Sequence, residues 1–333
     1  MEPTATDATP YYRLDPDTVL QAVDSTGLLT DGRLLALNSY ENRVYQVGIE
    51  DRDPIVAKFY RPGRWSDAQI QEEHDFSQEL ADAEIPLIEP MRIDGQSLFR
   101  HEGFRFALFR RQGGHAPELE DKETLLWLGR FIGRIHAVGR ARPFRHRPAL
   151  TPQRFGAESI ATIIEGRWLP PHMEAAFESL AEDLMSSIEN AWARAGDFRT
   201  IRLHGDCHPG NLLWRDAGAH VVDLDDACTG PAVQDLWMLL SGEPEAMAWQ
   251  LRLLLRGYAP FMDFDRTQLR LIEPLRLLRM IRHNAWVAQR WQDPAFPRAF
   301  PDFGSSGYWG QQALQLQEQL RAVAETPTLD TLL

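Results

Sequence analysis

A polar loop between two apolar runs is the feature that most limits what this chain can fold into. The loop is His204–Asn211, with the sequence HGDCHPGN, and the apolar run Leu212–Trp214 follows it. Twelve residues after Asn211, Asp223 ends a second short apolar run. The spacing D-x₄-N between Asp206 and Asn211, followed by an aspartate at a strand end, is the protein-kinase-like arrangement of a catalytic base and two metal ligands. The pattern predicts a strand–loop–strand unit that carries phosphoryl-transfer chemistry.

The polar residues of this unit suit three separate tasks. Mg²⁺ takes hard oxygen ligands and keeps several waters, so Asn211 and Asp223 are the candidate ligands of an ATP-bound Mg²⁺. Asp206 is the candidate catalytic base, because a separate carboxylate can take the proton of an attacking hydroxyl. A zinc site is the alternative interpretation, and it lacks a second ligand pair at metal spacing. Its ligands would be His204, Cys207 and His208.

The nucleotide side of the site is predicted in the first third of the chain. Lys58 ends the run Ile55-Val56-Ala57-Lys58, which matches the V-A-I-K pattern whose lysine reaches the α- and β-phosphates. In the helix that follows, Glu73 is the favoured partner of Lys58, and Glu72 is the alternative. Ser39 lies in a turn without glycine, at the place of a glycine-rich phosphate loop. Its hydroxyl and the backbone N–H groups of the turn can bind phosphate, although a plain hairpin turn is also consistent with the sequence.

The distribution of apolar residues predicts a strand-rich segment followed by a helical one. A helix is predicted over Asp67–Ala83 with Ser66 as its N-cap. The segment Gln112–Pro117 interrupts the pattern and marks a domain boundary. The predicted strands of the first segment are Arg43–Ile49, Pro54–Tyr60, Ile88–Ile93 and Phe104–Phe109, and the predicted helices beyond it include Met173–Arg194, Ala232–Leu240, Met247–Tyr258 and Thr267–Trp291. We therefore predict a disordered stretch 1–10, a nucleotide-binding lobe 11–110 of sheet plus one helix, a helical lobe 111–324 with the catalytic loop, and a tail 325–333.

Composition and charge exclude several classes of function. The formal net charge of -13 argues against nucleic acid or an anionic membrane as the main partner. No apolar run approaches the roughly 18 to 20 residues of a membrane span. Two cysteines in 333 residues give no disulfide framework and indicate a reducing compartment. Arginine supplies 33 of the 35 basic residues, and only Lys58 and Lys122 are lysines.

Six stretches of the sequence resemble one family. They are LNSYENRVYQ, VAKFYRPGRW, EEHDF, LHGDCHPGNLLWRD, VVDLDDACTGPAVQDLWMLL and DPAFPRAFP. Together they resemble the bacterial stress response kinase A family (RdoA/SrkA type), in the aminoglycoside/choline-kinase-like branch of the protein-kinase fold. The resemblance runs from about Asn38 to Trp309.

The resemblance implies an α+β, bilobal protein-kinase-like fold with a small antiparallel-sheet N-lobe and a mainly helical C-lobe. It also implies a cytoplasmic, ATP- and Mg²⁺-dependent Ser/Thr protein kinase of the stress response, expected as a monomer with a protein substrate. By the resemblance Asp206 is the proton acceptor, Asn211 and Asp223 bind Mg²⁺, and Ser39 lies at the ATP site. Asp235 is similar to the helix aspartate that supports the catalytic loop.

The sequence alone leaves alternatives to this function open. A small amino-alcohol, aminoglycoside or sugar hydroxyl is the alternative acceptor, and Asp225 and Asp226 are where an acidic pocket for a cationic substrate is expected. A nucleotide-binding regulator without turnover is less consistent with a complete set of candidate catalytic and metal-binding residues.

Arginines are frequent in residues 140–147 and 266–290. They predict either a docking surface for an acidic peptide or a solvated face paired with surplus acids.

Overall fold

The structure, a computed structural model, describes residues 10–215 and 218–325, and these residues form two compact units. The first unit comprises residues 10–117, 145–147 and 210–225, and the second comprises 118–144, 148–209 and 226–325. The predictions for residues 1–9 and 326–333 lie outside the described residues. Within the described ranges, no helix is long and apolar enough to cross a membrane.

A five-stranded antiparallel sheet forms the body of the first unit, in the order β1-β2-β3-β5-β4. Its strands are β1 (Thr30–Leu37), β2 (Arg43–Ile49), β3 (Arg52–Phe59), β4 (Phe99–His101) and β5 (Phe104–Arg110). Val47, Phe59 and Phe106 of the sheet are fully buried together with Val19 of helix α1 (Pro16–Asp24). A separate hairpin of β7 (Leu212–Arg215) and β8 (Gly218–Val221) also belongs to this unit.

Three of the four predicted strands are confirmed as β2, β3 and β5, and the fourth prediction is wrong. Between Ile88 and Ile93 the backbone makes only isolated bridges, because Pro90 has no N–H to donate to a ladder. Strand β1 was not predicted. It is an exposed edge strand with Gly32 at φ +82° and a register shift near its start, so it lacks the alternation of a half-buried strand.

The predicted helix of the first unit is confirmed as α2 (Asp67–Asp82). Ser66 caps it through a reciprocal pair of hydrogen bonds, in which its hydroxyl accepts from the backbone N–H of Gln69 and the Gln69 side chain accepts from the Ser66 N–H. Ile70, Phe76 and Leu80 face the interior and are fully buried. The cap and this apolar stripe fix where α2 begins and which way Glu73 points.

Helices dominate the second unit. They are α3 (Lys122–Gly139), α4 (Glu158–Glu165), α5 (Glu174–Ala195), α6 (Val233–Trp237), α7 (Pro244–Tyr258), α8 (Ile272–Gln289), α9 (Ala295–Ala299) and α10 (Ser306–Glu325). The short strands β6 (Thr200–Leu203) and β9 (Cys228–Pro231) pair antiparallel among them. Helices α3 and α7 approach closely: a Cβ at Gly129 would lie 2.1 Å from the carbonyl oxygen of Leu254, and one at Gly257 would lie 2.2 Å from that of Leu126.

The helix predictions for this unit are confirmed in kind and corrected in extent. The predicted Ala232–Leu240 is shortened to α6, and the predicted Thr267–Trp291 divides into a 3-10 turn, Arg266–Leu271, and helix α8. The division falls before Pro274, which is tolerated in the first turn of a helix, where its missing N–H has no acceptor to lose. Helices α4, α9 and α10 were not predicted.

Candidate active site

The hairpin β7–β8 holds both predicted metal ligands. Asn211 immediately precedes β7, Asp223 follows β8, and the backbone N–H of Val222 donates to the Asn211 carbonyl at 3.0 Å. Asp223 has φ +62°, a left-handed conformation that aspartate tolerates better than most residues. The turn directs the chain away from the strand at that point. An amide and a carboxylate oxygen are therefore carried at the open end of one hairpin of the first unit.

Lys58 lies among three carboxylates in the first unit. Its Nζ is 2.8 Å from Asp223 Oδ1, 3.3 Å from Asp225 Oδ1 and 4.0 Å from Glu73 Oε1, and the residue is only 6% exposed. Burial alone would lower the pKa of Lys58, but these carboxylates outweigh it and raise the pKa well above its ordinary value. Lys58 is a fixed cation beside the predicted metal ligand Asp223.

The two neighbouring glutamates of α2 have different partners. Glu73 is buried and faces Lys58, and burial, opposed by the Lys58 charge, raises its pKa to about 7. Glu72 instead accepts hydrogen bonds from the backbone N–H groups of Arg145, His146 and Arg147, at 2.6, 2.8 and 2.8 Å. Its burial tends to raise its pKa, and these three bonds lower it overall. The glutamate beside Lys58 is therefore Glu73, while Glu72 fastens residues 145–147 to α2.

Asp225 is a buried residue that the sequence did not identify as part of the nucleotide side. Its carboxylate is bound by the Arg64 guanidinium and by Asn42 Nδ2, the latter at 3.1 Å, and Arg147 donates to its backbone carbonyl. Burial alone would raise the pKa of Asp225, but Arg64 and Lys58 lower it well below its ordinary range. The expectation of a cation-binding pocket at Asp225 is wrong, because this carboxylate is buried among the protein's own cations. The other aspartate of that expectation, Asp226, is exposed and belongs to the second unit.

Ser39 lies half-buried in the loop that joins β1 to β2, as the turn pattern predicted. The end of this loop is anchored in the first unit. Asn42 Oδ1 accepts from the backbone N–H of Arg61 at 3.1 Å, and the Arg61 guanidinium donates to the carbonyl oxygens of Tyr40 and Glu41, both at 2.9 Å. These bonds give a loop without glycine a fixed shape.

The loop that carries Asp206 belongs to the second unit, where Asp235 of α6 holds it. The Asp235 carboxylate accepts from the backbone N–H groups of His204 and Gly205, each at 2.9 Å, and its Oδ2 lies 3.1 Å from His136 Nε2. Gly205 has φ +86°, and a Cβ there would lie 2.2 Å from the Asp226 carbonyl oxygen. The loop conformation thus requires both the glycine and the buried carboxylate.

The Asp206 carboxylate has two basic neighbours. Arg279 Nη1 of α8 lies 2.6 Å from Oδ1, and His208 Nε2 lies 3.4 Å from Oδ2. Burial alone would raise the pKa of Asp206, but the hydrogen bond from His208 and the Arg279 charge lower it well below its ordinary range. Asp206 is therefore ionised at neutral pH and able to accept a hydrogen bond. Its relation to Arg279, 73 positions away, has no signal in the sequence.

The site residues fit an ATP-bound divalent cation better than a zinc ion held by protein ligands. Among the described residues, no group of three or more His, Cys, Asp or Glu side chains is arranged to hold a metal. Cys207 is buried, and His204 Nδ1 lies 3.3 Å from the backbone N–H of Asp206. The side chains of Cys207 and His204 therefore contribute to the structure of the loop. Asn211 and Asp223 offer two oxygen ligands, which suits Mg²⁺ when phosphates and water complete its coordination.

Comparison with known proteins identifies the family of this chain. Residues 33–272 match the model of the phosphotransferase enzyme family, APH. The chain is 42% identical over 317 residues to the serine/threonine protein kinase RdoA of Salmonella typhimurium and to stress response kinase A of Escherichia coli K12, an alignment that covers 95% of this chain and 96% of each relative.

Two solved structures with this fold are kinases of small molecules. The amicoumacin kinase hAmiN, solved with AMP-PNP, Ca²⁺ and Ami, has a TM-score of 0.68 at 16% identity and covers 94% of this chain and 96% of its own. A microcompartment-associated aminopropanol kinase has a TM-score of 0.63 at 18% identity, with coverage of 91% and 100%. These likenesses confirm the predicted α+β, kinase-like fold. The chain belongs to the stress response kinase A family, within the phosphotransferase enzyme family.

Proposed function

We propose that this chain is an ATP- and Mg²⁺-dependent Ser/Thr protein kinase that acts in a stress response. The observation that carries the proposal is the buried Lys58 cation, 2.8 Å from Asp223 and backed by Glu73. A buried lysine beside a carboxylate that also suits a metal is the arrangement that protein kinases use to hold ATP phosphates. The stress-response role is supported by the names of the relatives alone.

On the nucleotide side, residues of the first unit would bind Mg²⁺ and the phosphates and neutralise the phosphate charge. Asn211 and Asp223 would hold Mg²⁺, which supplies electrostatic stabilisation of phosphate charge when bound. Lys58 Nζ, a compact point charge, would bind the α- and β-phosphates, and the β1–β2 loop with Ser39 would offer its hydroxyl and N–H groups to them. Glu73, with its Oε1 4.0 Å from Lys58 Nζ, would keep this lysine oriented.

On the acceptor side, Asp206 is the proposed base. The acceptor hydroxyl oxygen forms the new bond to the γ-phosphorus, the bond from that phosphorus to the bridging oxygen of ADP breaks, and the hydroxyl proton passes to Asp206. A carboxylate with a lowered pKa is a weak base, so its first contribution is to orient the hydroxyl by accepting its hydrogen bond. Phosphoryl transfer needs little more from the protein than positioning and charge stabilisation.

A protein acceptor is favoured over a small molecule for two reasons. The 42%-identical relatives carry protein-kinase and stress-response-kinase names, whereas the small-molecule kinases share 18% identity or less with this chain. In addition, Asp225, the residue expected to attract a cationic acceptor, is buried against Lys58 and Arg64. A cytoplasmic location fits a chain that has only two cysteines, Cys207 and Cys228. A monomeric state belongs to the same proposal and is tested by light scattering.

The acceptor class is tested by incubating the protein with labelled ATP and Mg²⁺ alone, with generic protein acceptors and with a panel of amino alcohols. We expect label on Ser or Thr residues of protein. Label on amino alcohols alone would replace the protein-kinase proposal by a small-molecule kinase, and no transfer in any arm would leave only nucleotide binding.

Asp206→Ala and Asp223→Ala separate the two sides of the site. Asp206→Ala should abolish transfer while the affinity for ATP stays within about three-fold, because Asp206 does not hold the nucleotide. Asp223→Ala should remove the Mg²⁺ dependence of nucleotide binding in calorimetry run with and without the metal. Undiminished transfer by Asp206→Ala would exclude it as the base, and metal-dependent binding retained by Asp223→Ala would exclude Asp223 as a ligand.

A further inference from the structure

The proposed base is covered by an arginine of its own unit. Arg279 Nη1 of α8 lies 2.6 Å from Asp206 Oδ1, and the two side chains are 49% and 23% exposed. Solvent reaches both groups, and so can an approaching acceptor. The surface that meets an acceptor is therefore a carboxylate joined to a guanidinium, and its positive half is the more exposed one.

Arg279 is the middle member of a row of arginines on α8. Arg276 lies three residues before Arg279 and Arg282 three residues after it, so each of them neighbours Arg279 on the helix surface. The guanidinium groups of Arg276 and Arg282 lie over aromatic rings, 5.1 and 4.6 Å from the ring centroids. Stacking of this kind orients a guanidinium and leaves its charge in place. Glu273, 3.6 Å from Arg276, is the only acidic residue of α8.

We infer that this row selects the acceptor, and that the acceptor is an acidic protein segment in which carboxylates flank the Ser or Thr. The inference rests on the proposed function and deepens it by naming the substrate class. A carboxylate next to the acceptor hydroxyl replaces Asp206 as the partner of Arg279. Asp206 Oδ1 is then free to accept the hydrogen bond from the hydroxyl. A cationic acceptor is repelled by Arg279, so the ion pair between Arg279 and Asp206 stays intact.

The length of the row favours a peptide over a small anion. Six residues of α-helix separate Arg276 from Arg282, a rise of about 9 Å along the axis. An extended peptide advances about 3.3 Å per residue, so three or four of its residues cover that distance. The row therefore matches several acidic residues around one hydroxyl-bearing residue.

The test compares Ser peptides of one length in which the serine is flanked by Glu, by Lys or by Ala, with glycerol 2-phosphate as a small anionic acceptor. Each is assayed for kcat/KM at saturating ATP with wild type, Arg279→Gln, Arg279→Lys and the control Arg256→Gln. Arg256 is an exposed arginine of α7, so the control removes one positive charge away from the row. Binding of the Glu-flanked peptide with Ala in place of Ser is measured by fluorescence anisotropy, which does not depend on catalysis.

We expect wild type to prefer the Glu-flanked over the Lys-flanked peptide by about five-fold, the upper range for one charge contact at a half-exposed site. Arg279→Gln should reduce this ratio and the anisotropy affinity toward the Ala-flanked values, Arg279→Lys should restore part of both, and Arg256→Gln should keep the wild-type ratio. Equal use of the three peptides by wild type, or an unchanged ratio in Arg279→Gln, would overturn the inference alone. Preference for glycerol 2-phosphate would replace the peptide by a small anion. Phosphorylation of amino alcohols with no peptide modified would overturn the proposed function as well.

Discussion

The support of the catalytic loop by Asp235 gives a prediction whose magnitude follows from its hydrogen bonds. The residue is 1% exposed, and its two carboxylate oxygens accept from the backbone N–H groups of His204 and Gly205 and contact His136 Nε2. In Asp235→Ala these groups stay buried without an acceptor. The substitution therefore tests whether one side chain of α6 determines the position of Asp206.

The size of the effect can be added up from these contacts. Each buried N–H left without a partner costs about 1 to 3 kcal/mol, and Asp235→Ala leaves two backbone N–H groups, those of His204 and Gly205, without their acceptor. We expect Asp235→Ala to lower the free energy of unfolding of the second unit by about 4 kcal/mol, about 2 kcal/mol for each of these groups. Asp235→Asn keeps one acceptor oxygen for one of the two N–H groups, so its expected loss is about half as large.

Hydrogen exchange measures this effect at the loop itself. The amides of His204 and Gly205 should be protected in wild type and should lose protection in Asp235→Ala, together with a fall in kcat of at least about 100-fold, because a misplaced base orients the hydroxyl poorly. Asp206→Ala is the matched control: it removes the proposed base and should leave both amides protected. Normal protection in Asp235→Ala, or lost protection with an unchanged kcat, would refute the assigned role of Asp235.

Two further predictions concern the buried charges of the first unit. Because burial raises the pKa of Glu73 to about 7, above the ordinary value of about 4.5, the folded state binds this proton more tightly than the unfolded chain, so the stability due to this group falls as pH rises from about 4.5 to 7. The stability of wild type minus that of Glu73→Gln, measured by urea unfolding at pH 5 to 8, should therefore decrease with pH, and a constant or rising difference would contradict the pKa. Lys58→Arg should keep the charge but lower kcat/KM for ATP by about 100-fold, since a guanidinium fork cannot occupy the position of a point charge between Asp223 and Glu73, and near-wild-type kinetics would contradict that geometry.

Local patterns explain which parts of the fold the sequence revealed. Helix α2 was predicted with its first residue, because Ser66 and Gln69 form a cap within four residues and an apolar stripe follows. Strand β1 carries mostly exposed side chains, and α10 is rich in glutamine, so neither shows a strong apolar period. These elements are recognisable only through the partners they pack against.

The candidate site divides in the same way. Asp206, Asn211 and Asp223 were proposed together because one loop and one hairpin carry them at short intervals in the sequence. Glu73 was the favoured partner of Lys58, and its Oε1 lies 4.0 Å from Lys58 Nζ. The partner of Glu72 could not be predicted, since it is the backbone of residues 145–147, more than 70 positions away. Arg279 was hidden among many arginines for the same reason. Ion pairs between residues that are far apart in the chain produce no recognisable spacing in the sequence.

The scarcity of lysine acquires a physical meaning from the first unit. Arginines of the first unit use their planar, forked guanidinium groups. Arg61 donates to two carbonyl oxygens, and Arg147 donates to the Asp225 carbonyl and lies over an aromatic ring. Lys58 presents a single small charge to three carboxylates that surround it at 2.8 to 4.0 Å, a geometry that a planar fork does not match. The other lysine, Lys122, is exposed in the first turn of α3. Arginine supplies almost all the positive charges of this chain, and its one buried lysine lies where a point charge is required. This is the strongest argument from composition for the proposal that Lys58 binds the nucleotide.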